Sequence, residues 1–250
     1  MTGKERIRNT LEQRPSDLTP WVPFAGVHAG KLCGYTAKEV LLDADKLYDS
    51  LMKVHETYLP DGQPVVFDLQ LEAEVLGCEL LWADDSPPSV ITHPLESGFV
   101  IPEKIPGKDD GRIPLVLDVM RRMKASVGKT TALYGLICGP LTLATHLRGS
   151  ELFMDTYTDE DRVHALIAYC VRVCKAMTAL YIEAGMDVVA VVDPVISQIS
   201  PDMFVQYLDL PLKEIFSHIK GLGAYSSLFV CGDATKNMDV MCHTGPDMIS

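Results

Sequence analysis

Apolar side chains recur at helical spacing in several segments of the chain. The predicted helices cover residues 3–13, 36–58, 114–126, 159–184 and 200–220. Two of these helices begin with a capping signal. Thr158 precedes an acidic Asp-Glu-Asp run, and Ser200 is followed by a proline at the first helical position. The pattern therefore predicts well-defined helices between the remaining apolar stretches.

Short runs that are apolar throughout alternate with these helices. The predicted strands cover residues 20–26, 64–68, 131–139, 185–194 and 226–233, and a further strand begins at 246–250. Strands without polar alternation are typical of a parallel sheet that is covered on both faces. Residues 73–95 are expected to form a helix end and then irregular or hairpin structure, because Pro87 and Pro88 exclude a helix there.

Polar residues at the ends of successive strands favour an α/β fold of the (β/α)8 TIM barrel type, in which active sites collect at that edge. No Gly-rich nucleotide fingerprint follows a strand, and the GKTT segment at 128–131 precedes its strand. We expect one barrel domain over residues 1–250. Because fewer strands are visible than a barrel of about eight requires, we expect its C-terminal strands to lie outside this sequence.

Composition narrows the class of function. The 250 residues are 47% hydrophobic and carry a formal net charge of −12, which disfavours a nucleic-acid partner. The N-terminus has no apolar signal core, and no membrane span is expected, so we predict a cytoplasmic protein. The seven cysteines are odd in number and scattered, as expected for free thiols in a reducing compartment.

Three carboxylates are candidates for chemistry. Asp68 and Asp193 each end an apolar run, and a carboxylate avoids burial unless it is paired or functional. The alternative is that each caps the helix that follows. Glu72 lies one helical turn after Asp68, and Glu72 and Glu74 are alternatively solvent-facing charges of a helix.

Two histidines and one thiol complete the candidate set. His28 follows the first apolar run, and His146 is expected at a helix start that faces the barrel mouth, although either is alternatively an ordinary loop or packing histidine. Cys231 ends a strand and precedes a glycine. Cys242 and His243 follow at a spacing that is wider than structural zinc sites usually show.

Four segments resemble the uroporphyrinogen decarboxylase superfamily, which contains porphyrin decarboxylases and corrinoid-dependent methyltransferases. Asp68 lies nine residues before Gly77, as a catalytic aspartate does in the decarboxylases. The methyltransferase branch of the methylcobamide:coenzyme M type is the more similar one. The segments are VVFDLQLEAEVLGCEL (65–80), CGPLTLATHLRG (138–149), EAGMDVVAVVDPVISQISPDMF (183–204) and LFVCGDATKNM (228–238).

The departures from the family pattern distinguish the two branches. The arginine-rich segment with which decarboxylases hold the acidic substrate is VHAGKL (27–32) here, so Lys31 replaces an arginine. His146 stands where the decarboxylases have a tyrosine. The zinc motif of the methyltransferases keeps Cys231 but has Phe229 in place of its histidine, which leaves zinc without one ligand.

The resemblance implies an enzyme that moves a methyl group between a corrinoid (methylcobalamin) on a partner protein and a small acceptor. Asp68, Asp193 and His28 would be catalytic, and His146, Glu72 and Lys31 would bind substrate. Cys231 would bind zinc or the acceptor. The alternatives are a uroporphyrinogen decarboxylase and a non-catalytic module that binds a tetrapyrrole or corrinoid. The decarboxylase relatives also imply a homodimer.

Overall fold

A parallel five-stranded sheet organises the chain, and the computed structural model describes residues 1–250. Its strands lie in the order β1-β4-β5-β6-β7, while β2 and β3 form a separate antiparallel hairpin. The strands are β1 (Gly62–Pro64), β2 (Leu80–Leu81), β3 (Ser89–Val90), β4 (Ala132–Cys138), β5 (Val188–Val192), β6 (Tyr225–Phe229) and β7 (Met248–Ile249). The parallel sheet and the hairpin within 73–95 confirm the expected fold class.

Twelve α-helices connect and cover the strands. They are α1 (Gly3–Leu11), α2 (His28–Lys31), α3 (Ala37–Leu42), α4 (Ala44–Tyr58), α5 (Leu71–Val75), α6 (Ile113–Ser126), α7 (Pro140–Arg148), α8 (Glu151–Thr158), α9 (Glu160–Glu183), α10 (Pro201–Tyr207), α11 (Asp209–Gly221) and α12 (Met238–His243). Short 3-10 turns lie at Pro194–Gln198 and Thr235–Asn237. The βα alternation places the helices outside the sheet, as in a TIM barrel.

Side chains of the central strands alternate between two apolar layers. Leu133 and Val189 point toward the helices and join the main core. Tyr134 and Val188 are partners in register and point to the inner face. Both layers are buried, which explains why the sequence shows continuous apolar runs instead of an alternating pattern.

The longest helix, α9, contains a long apolar segment. By length and composition alone, α9 could cross a membrane. Its apolar face, which includes Cys170, Cys174 and Met177, is instead buried in the main core, where α9 packs on α7, α11 and β4. Cys170 and Cys174, four residues apart, are therefore core residues, and α9 packs centrally in the outer layer.

The structure corrects five details of the predicted elements. The strand expected at 64–68 lies earlier, at Gly62–Pro64 (β1), so Asp68 is four residues beyond it. Residues 20–26 form no strand, because two prolines in this run remove backbone donors that a ladder requires. The predicted helices 36–58 and 200–220 are each divided in two, since Asp43 caps α4 with its own side chain and Leu208 leaves the helical conformation. Asp159, not Thr158, caps α9 by accepting from the backbone of Arg162.

Candidate active site at the carboxyl ends of the strands

The carboxyl ends of the parallel strands share one edge of the sheet, which we call the mouth. Asp68 lies just beyond β1, Asp193 follows β5, and Cys231 follows β6. The sequence therefore brings the predicted residues to the same edge. Their side chains, however, point into three different environments.

Asp193 is fully buried and caps a helix. Its carboxylate accepts hydrogen bonds from the backbone N–H of Leu141 (2.9 Å) and of Thr142 (2.9 Å), and from the hydroxyl of Thr142 (2.5 Å). Gly139 passes so close that a Cβ there would collide with this carboxylate. Burial raises the pKa of Asp193 to about 6, against the opposing effect of these hydrogen bonds. The expected capping role is observed, but on α7, which precedes Asp193, and the side chain does not reach the mouth.

Asp68 is covered by an ion pair. Its Oδ2 lies 2.5 Å from Nη1 of Arg112, and its Oδ1 accepts from the backbone N–H of Gln70 (3.0 Å). The Asp68 side chain is 0% exposed and that of Arg112 is 10% exposed. Arg112 also binds Glu74 at 2.7 Å and stacks on Trp82 at 5.0 Å. The carboxylate therefore fixes the segment after β1 and presents no free oxygen to the mouth.

Glu72 is buried beside this ion pair. Its Oε1 accepts from the backbone N–H of Cys138 (3.1 Å), and its Oε2 has no hydrogen-bond partner. Burial, the largest influence, raises the pKa of Glu72 to about 7. Glu72 is only 1% exposed, so the alternative of a solvent-facing charge is wrong, while its role in binding substrate stays a prediction.

Aromatic rings form the wall of the mouth next to β6. Phe229 stacks on Phe24 with ring centroids 4.6 Å apart, and Phe67 meets Phe229 edge-on at 6.0 Å. All three rings are half-buried. Cys231 is exposed two residues later, and partial burial of its sulfur raises the pKa of the thiol. The wall of the mouth is thus apolar, with one accessible thiol at its rim.

A small cavity of about 130 Å³ adjoins this wall. It is lined by Gly26, Phe67, Leu69, Gln70 and Pro87. Oε1 of Gln70 is buried without a hydrogen-bond partner. Gln70 is the one polar side chain in an otherwise largely apolar lining, a pattern typical of small-molecule sites.

The two predicted histidines and the lysine lie at different depths. His28 is exposed and lines a depression of about 160 Å³ at the rim. Lys31 is exposed and pairs with Asp85 at 3.3 Å. His146 lies in the last turn of α7, not at its start, and its Nδ1 is buried without a partner. Burial, and then the nearby His93, lower the pKa of His146 to about 4. The expected position of His146 at a helix start is therefore wrong, and its role in binding substrate stays a prediction.

Residues 1–250 do not assemble a zinc ligand set. No three His, Cys, Asp or Glu side chains lie close enough to hold a metal ion. The position that would supply the histidine ligand is filled by the stacked ring of Phe229. His243 is exposed, with Nδ1 2.6 Å from the carbonyl oxygen of Asp239. A tetrahedral site needs more nitrogen or sulfur donors than Cys231 alone provides.

Several contributing residues carried no signal in the sequence. Arg112 is separated from Asp68 by 44 positions, and no spacing links the two. Phe24 and Phe67 lie near the ends of apolar runs, and nothing in these runs indicates that their rings contact Phe229. The site is therefore built by long-range pairs that local patterns do not encode.

Comparison with known proteins places this geometry among related folds. The family model described as uroporphyrinogen decarboxylase (URO-D) matches residues 2–250. A methylcobamide:CoM methyltransferase, MtbA, of Methanosarcina acetivorans is 30% identical over 257 residues, covering 100% of the chain and 76% of the relative. A uroporphyrinogen decarboxylase of a Sulfurovum species is 25% identical over 64% of the chain and 48% of its own length. A solved methyltransferase from Methanosarcina mazei superposes with a TM-score of 0.90 at 24% identity, covering 100% of the chain and 76% of that structure.

Proposed function

The chain belongs to the uroporphyrinogen decarboxylase (URO-D) family, and from this premise we propose that it transfers a methyl group between a methylcobamide on a corrinoid protein and a small acceptor bound at the mouth. The match of the whole chain to methylcobamide:CoM methyltransferases carries this proposal. The resemblance stated from the sequence motifs, including its methyltransferase branch, is confirmed by these relatives.

The composition of the mouth supports methyl transfer over porphyrin decarboxylation. A tetrapyrrole with many carboxylates requires bidentate cations, which arginine supplies and lysine does not. Lys31 is the cation of the matching segment and already pairs with Asp85. Arg112 already forms ion pairs with two carboxylates behind the mouth. The aromatic wall instead suits a small, mostly apolar reacting group.

The residues of the chain bind, position and exclude water. The methylcobamide supplies the methyl group when it is bound. Phe24, Phe67 and Phe229 shield the reacting methyl from water, which strengthens a nucleophile at the mouth. Burial raises the pKa of the Cys231 thiol, and this thiol contacts the acceptor at the rim.

The buried carboxylates act as positioning residues in this proposal. Asp68, held by Arg112, accepts from the backbone N–H of Gln70 and so fixes the segment that follows Phe67. Asp193 fixes the start of α7 in the same way. No step uses zinc, since residues 1–250 do not form a site for it.

The exposed rim is the proposed docking area for the corrinoid protein. His28 lies there beside Trp21 and Tyr58, two aromatic side chains that line the same depression. Tryptophan and tyrosine are enriched among residues that dominate protein interfaces. A cytoplasmic location and a homodimer complete the proposal, the latter following from the decarboxylase relatives.

Anoxic turnover of methylcobalamin tests the function. With the purified protein and a thiol, an amine or a folate acceptor, we expect the absorbance spectrum of methylcobalamin to change to that of cob(I)alamin. Cys231→Ser should slow the reaction at least tenfold. Cys242→Ser is the matched control, since Cys242 is also an exposed thiol but lies beyond the 3-10 turn after β6, and it should leave the rate unchanged.

Two results would count against methyl transfer and identify the alternatives. Formation of coproporphyrinogen from uroporphyrinogen would establish the decarboxylase. Saturable binding of methylcobalamin without turnover for any acceptor would establish the non-catalytic module, which the closed Asp68–Arg112 pair and the ring at Phe229 favour as the second candidate.

A further inference from the structure

A large cavity lies at the end of the sheet opposite the mouth. It has a volume of about 410 Å³ and lies beneath α1, where β4, β5 and β6 begin. We call it the basal cavity. Because the strands are parallel, the length of the sheet separates the basal cavity from Cys231 and the aromatic wall. Its volume is within the range of pockets that bind small molecules.

Helix α1, which covers the basal cavity, is held to the rest of the fold by several hydrogen bonds. The backbone N–H of Lys4 donates to the carbonyl oxygen of Thr130 at 2.7 Å. The Lys4 ammonium lies 2.6 Å from Oδ1 of Asp187 and 3.1 Å from the carbonyl oxygen of Gly128. At the other end of α1, the hydroxyl of Tyr225 donates to Glu12 at 2.5 Å. These bonds tie α1 to three separate elements, so the cavity is a built feature of the fold.

Several charged side chains at the basal cavity already have partners. Lys4 and Lys124 share Asp187, and Glu5 is engaged in the capping box of α1 with Thr2. Arg8 and Lys129 also line the cavity, but their side chains form no ion pair or hydrogen bond within residues 1–250. Two cations without partners therefore face one cavity in a chain of net charge −12.

The floor beneath these cations is apolar. It is formed by Ile7, Ala132, Met186, Val188 and Ala224, all of which are buried. An apolar floor favours a hydrocarbon group, and unpaired cations at the rim favour an anion. A ligand that satisfies both requirements carries one negatively charged end and an aliphatic body.

From this arrangement we propose that the basal cavity binds a small aliphatic carboxylate, with its carboxylate between Arg8 and Lys129 and its chain on the apolar floor. Arginine and lysine both bind carboxylates through charge-assisted hydrogen bonds. The site is independent of the methyl-transfer proposal, because none of its lining residues lies at the mouth.

Calorimetric titration with hexanoate, octanoate and decanoate tests the proposal. Each added methylene buried on the floor should lower the Kd about twofold to fourfold. Octan-1-ol has the same chain without the charge and should bind about tenfold more weakly than octanoate at low salt. An affinity that does not change with chain length would mean ion pairing at the surface only, and would overturn the proposal.

Matched variants locate the site. The double variant Arg8→Gln/Lys129→Gln should reduce octanoate affinity to that of octan-1-ol. Arg121→Gln/Lys38→Gln removes two equally exposed, unpaired cations elsewhere and should retain full affinity. Equal loss in both pairs, or no binding by the unaltered protein, refutes the site.

A third variant tests the apolar floor. Ala224→Met should occupy part of the cavity and weaken octanoate binding while leaving the circular dichroism spectrum unchanged. Ala224 is 8% exposed, lines the cavity and lies in the turn before β6. Octanoate binding that survives Ala224→Met unchanged would place the ligand elsewhere and overturn the proposal.

Discussion

Replacing Arg112 by Met removes the cation that neutralises Asp68. The two side chains are 10% and 0% exposed, and their atoms are 2.5 Å apart. Met retains much of the arginine's apolar stem, so the principal loss is electrostatic. The variant leaves a buried carboxylate without its counter-charge, which is the costly way to break such a pair.

The magnitude follows from the burial of each contact. Breaking a buried pair from one side costs about 3–5 kcal/mol. The second contact, between Arg112 and Glu74, involves a carboxylate that is 30% exposed and adds less than about 1 kcal/mol. Asp68 keeps its hydrogen bond from the N–H of Gln70. We therefore expect Arg112→Met to lower the free energy of unfolding by about 3 kcal/mol.

Urea unfolding at pH 7.5, followed by circular dichroism, measures this loss. Arg122→Met is the control, because Arg122 pairs with Asp45 at 2.8 Å at the surface, where the side chains are 33% and 84% exposed. It should cost no more than about 1 kcal/mol. In the double variant Asp68→Asn/Arg112→Met, about 2 kcal/mol should be recovered, since no charge is left buried. If Arg112→Met costs no more than the control, or if the double variant recovers nothing, the ion pair does not stabilise the segment after β1.

Three further variants or measurements address other parts of the site. Burial raises the pKa of Glu72 to about 7, so the native carboxyl keeps a proton that the unfolded chain loses above about 4.5, and stability falls as pH rises through this window. In urea unfolding, Glu72→Gln should raise the free energy of unfolding by about 2–3 kcal/mol at pH 8 and leave it unchanged at pH 4. Equal gains at both pH values, or the same gain for the exposed control Glu183→Gln, would contradict this reasoning. Gly139→Ala should cost more than about 2 kcal/mol in the same assay, because its Cβ meets the carboxylate that caps α7, while Gly98→Ala, with open space around it, should be within about 0.5 kcal/mol of the parent. Metal analysis of the purified chain should show the same substoichiometric zinc content before and after Cys231→Ser, and one tightly bound zinc that is lost in the variant would contradict the proposed zinc-free mouth.

Elements that depend on local pattern were predictable from the sequence. The predicted helix 159–184 is found at Glu160–Glu183, and Ser200 caps α10 as expected by accepting from the N–H of Met203. The strand predicted at 131–139 is found at Ala132–Cys138. These successes rest on apolar periodicity and capping, which are properties of a few consecutive residues. The run at 20–26 failed because apolar content alone does not provide backbone donors.

The positions of the candidate site residues were more predictable than their roles. Asp68, Asp193 and Cys231 do share one edge, since parallel strands end together. The roles of the two carboxylates depend on partners far along the chain. Asp68 pairs with Arg112, and Asp193 accepts from the backbone amides of α7. Such pairs arise only in the folded arrangement, so a single sequence could not distinguish a buried cap from an open acid.

The cap that Asp193 places on α7 also constrains the order in which the chain acquires structure. The amides of Leu141 and Thr142 find their acceptor 52 and 51 residues downstream. During synthesis, the first turn of α7 therefore emerges with open donors, and it closes only after β5 has left the ribosome and docked beside β4. Protection of these two amide protons from hydrogen exchange would thus report that β5 has docked beside β4.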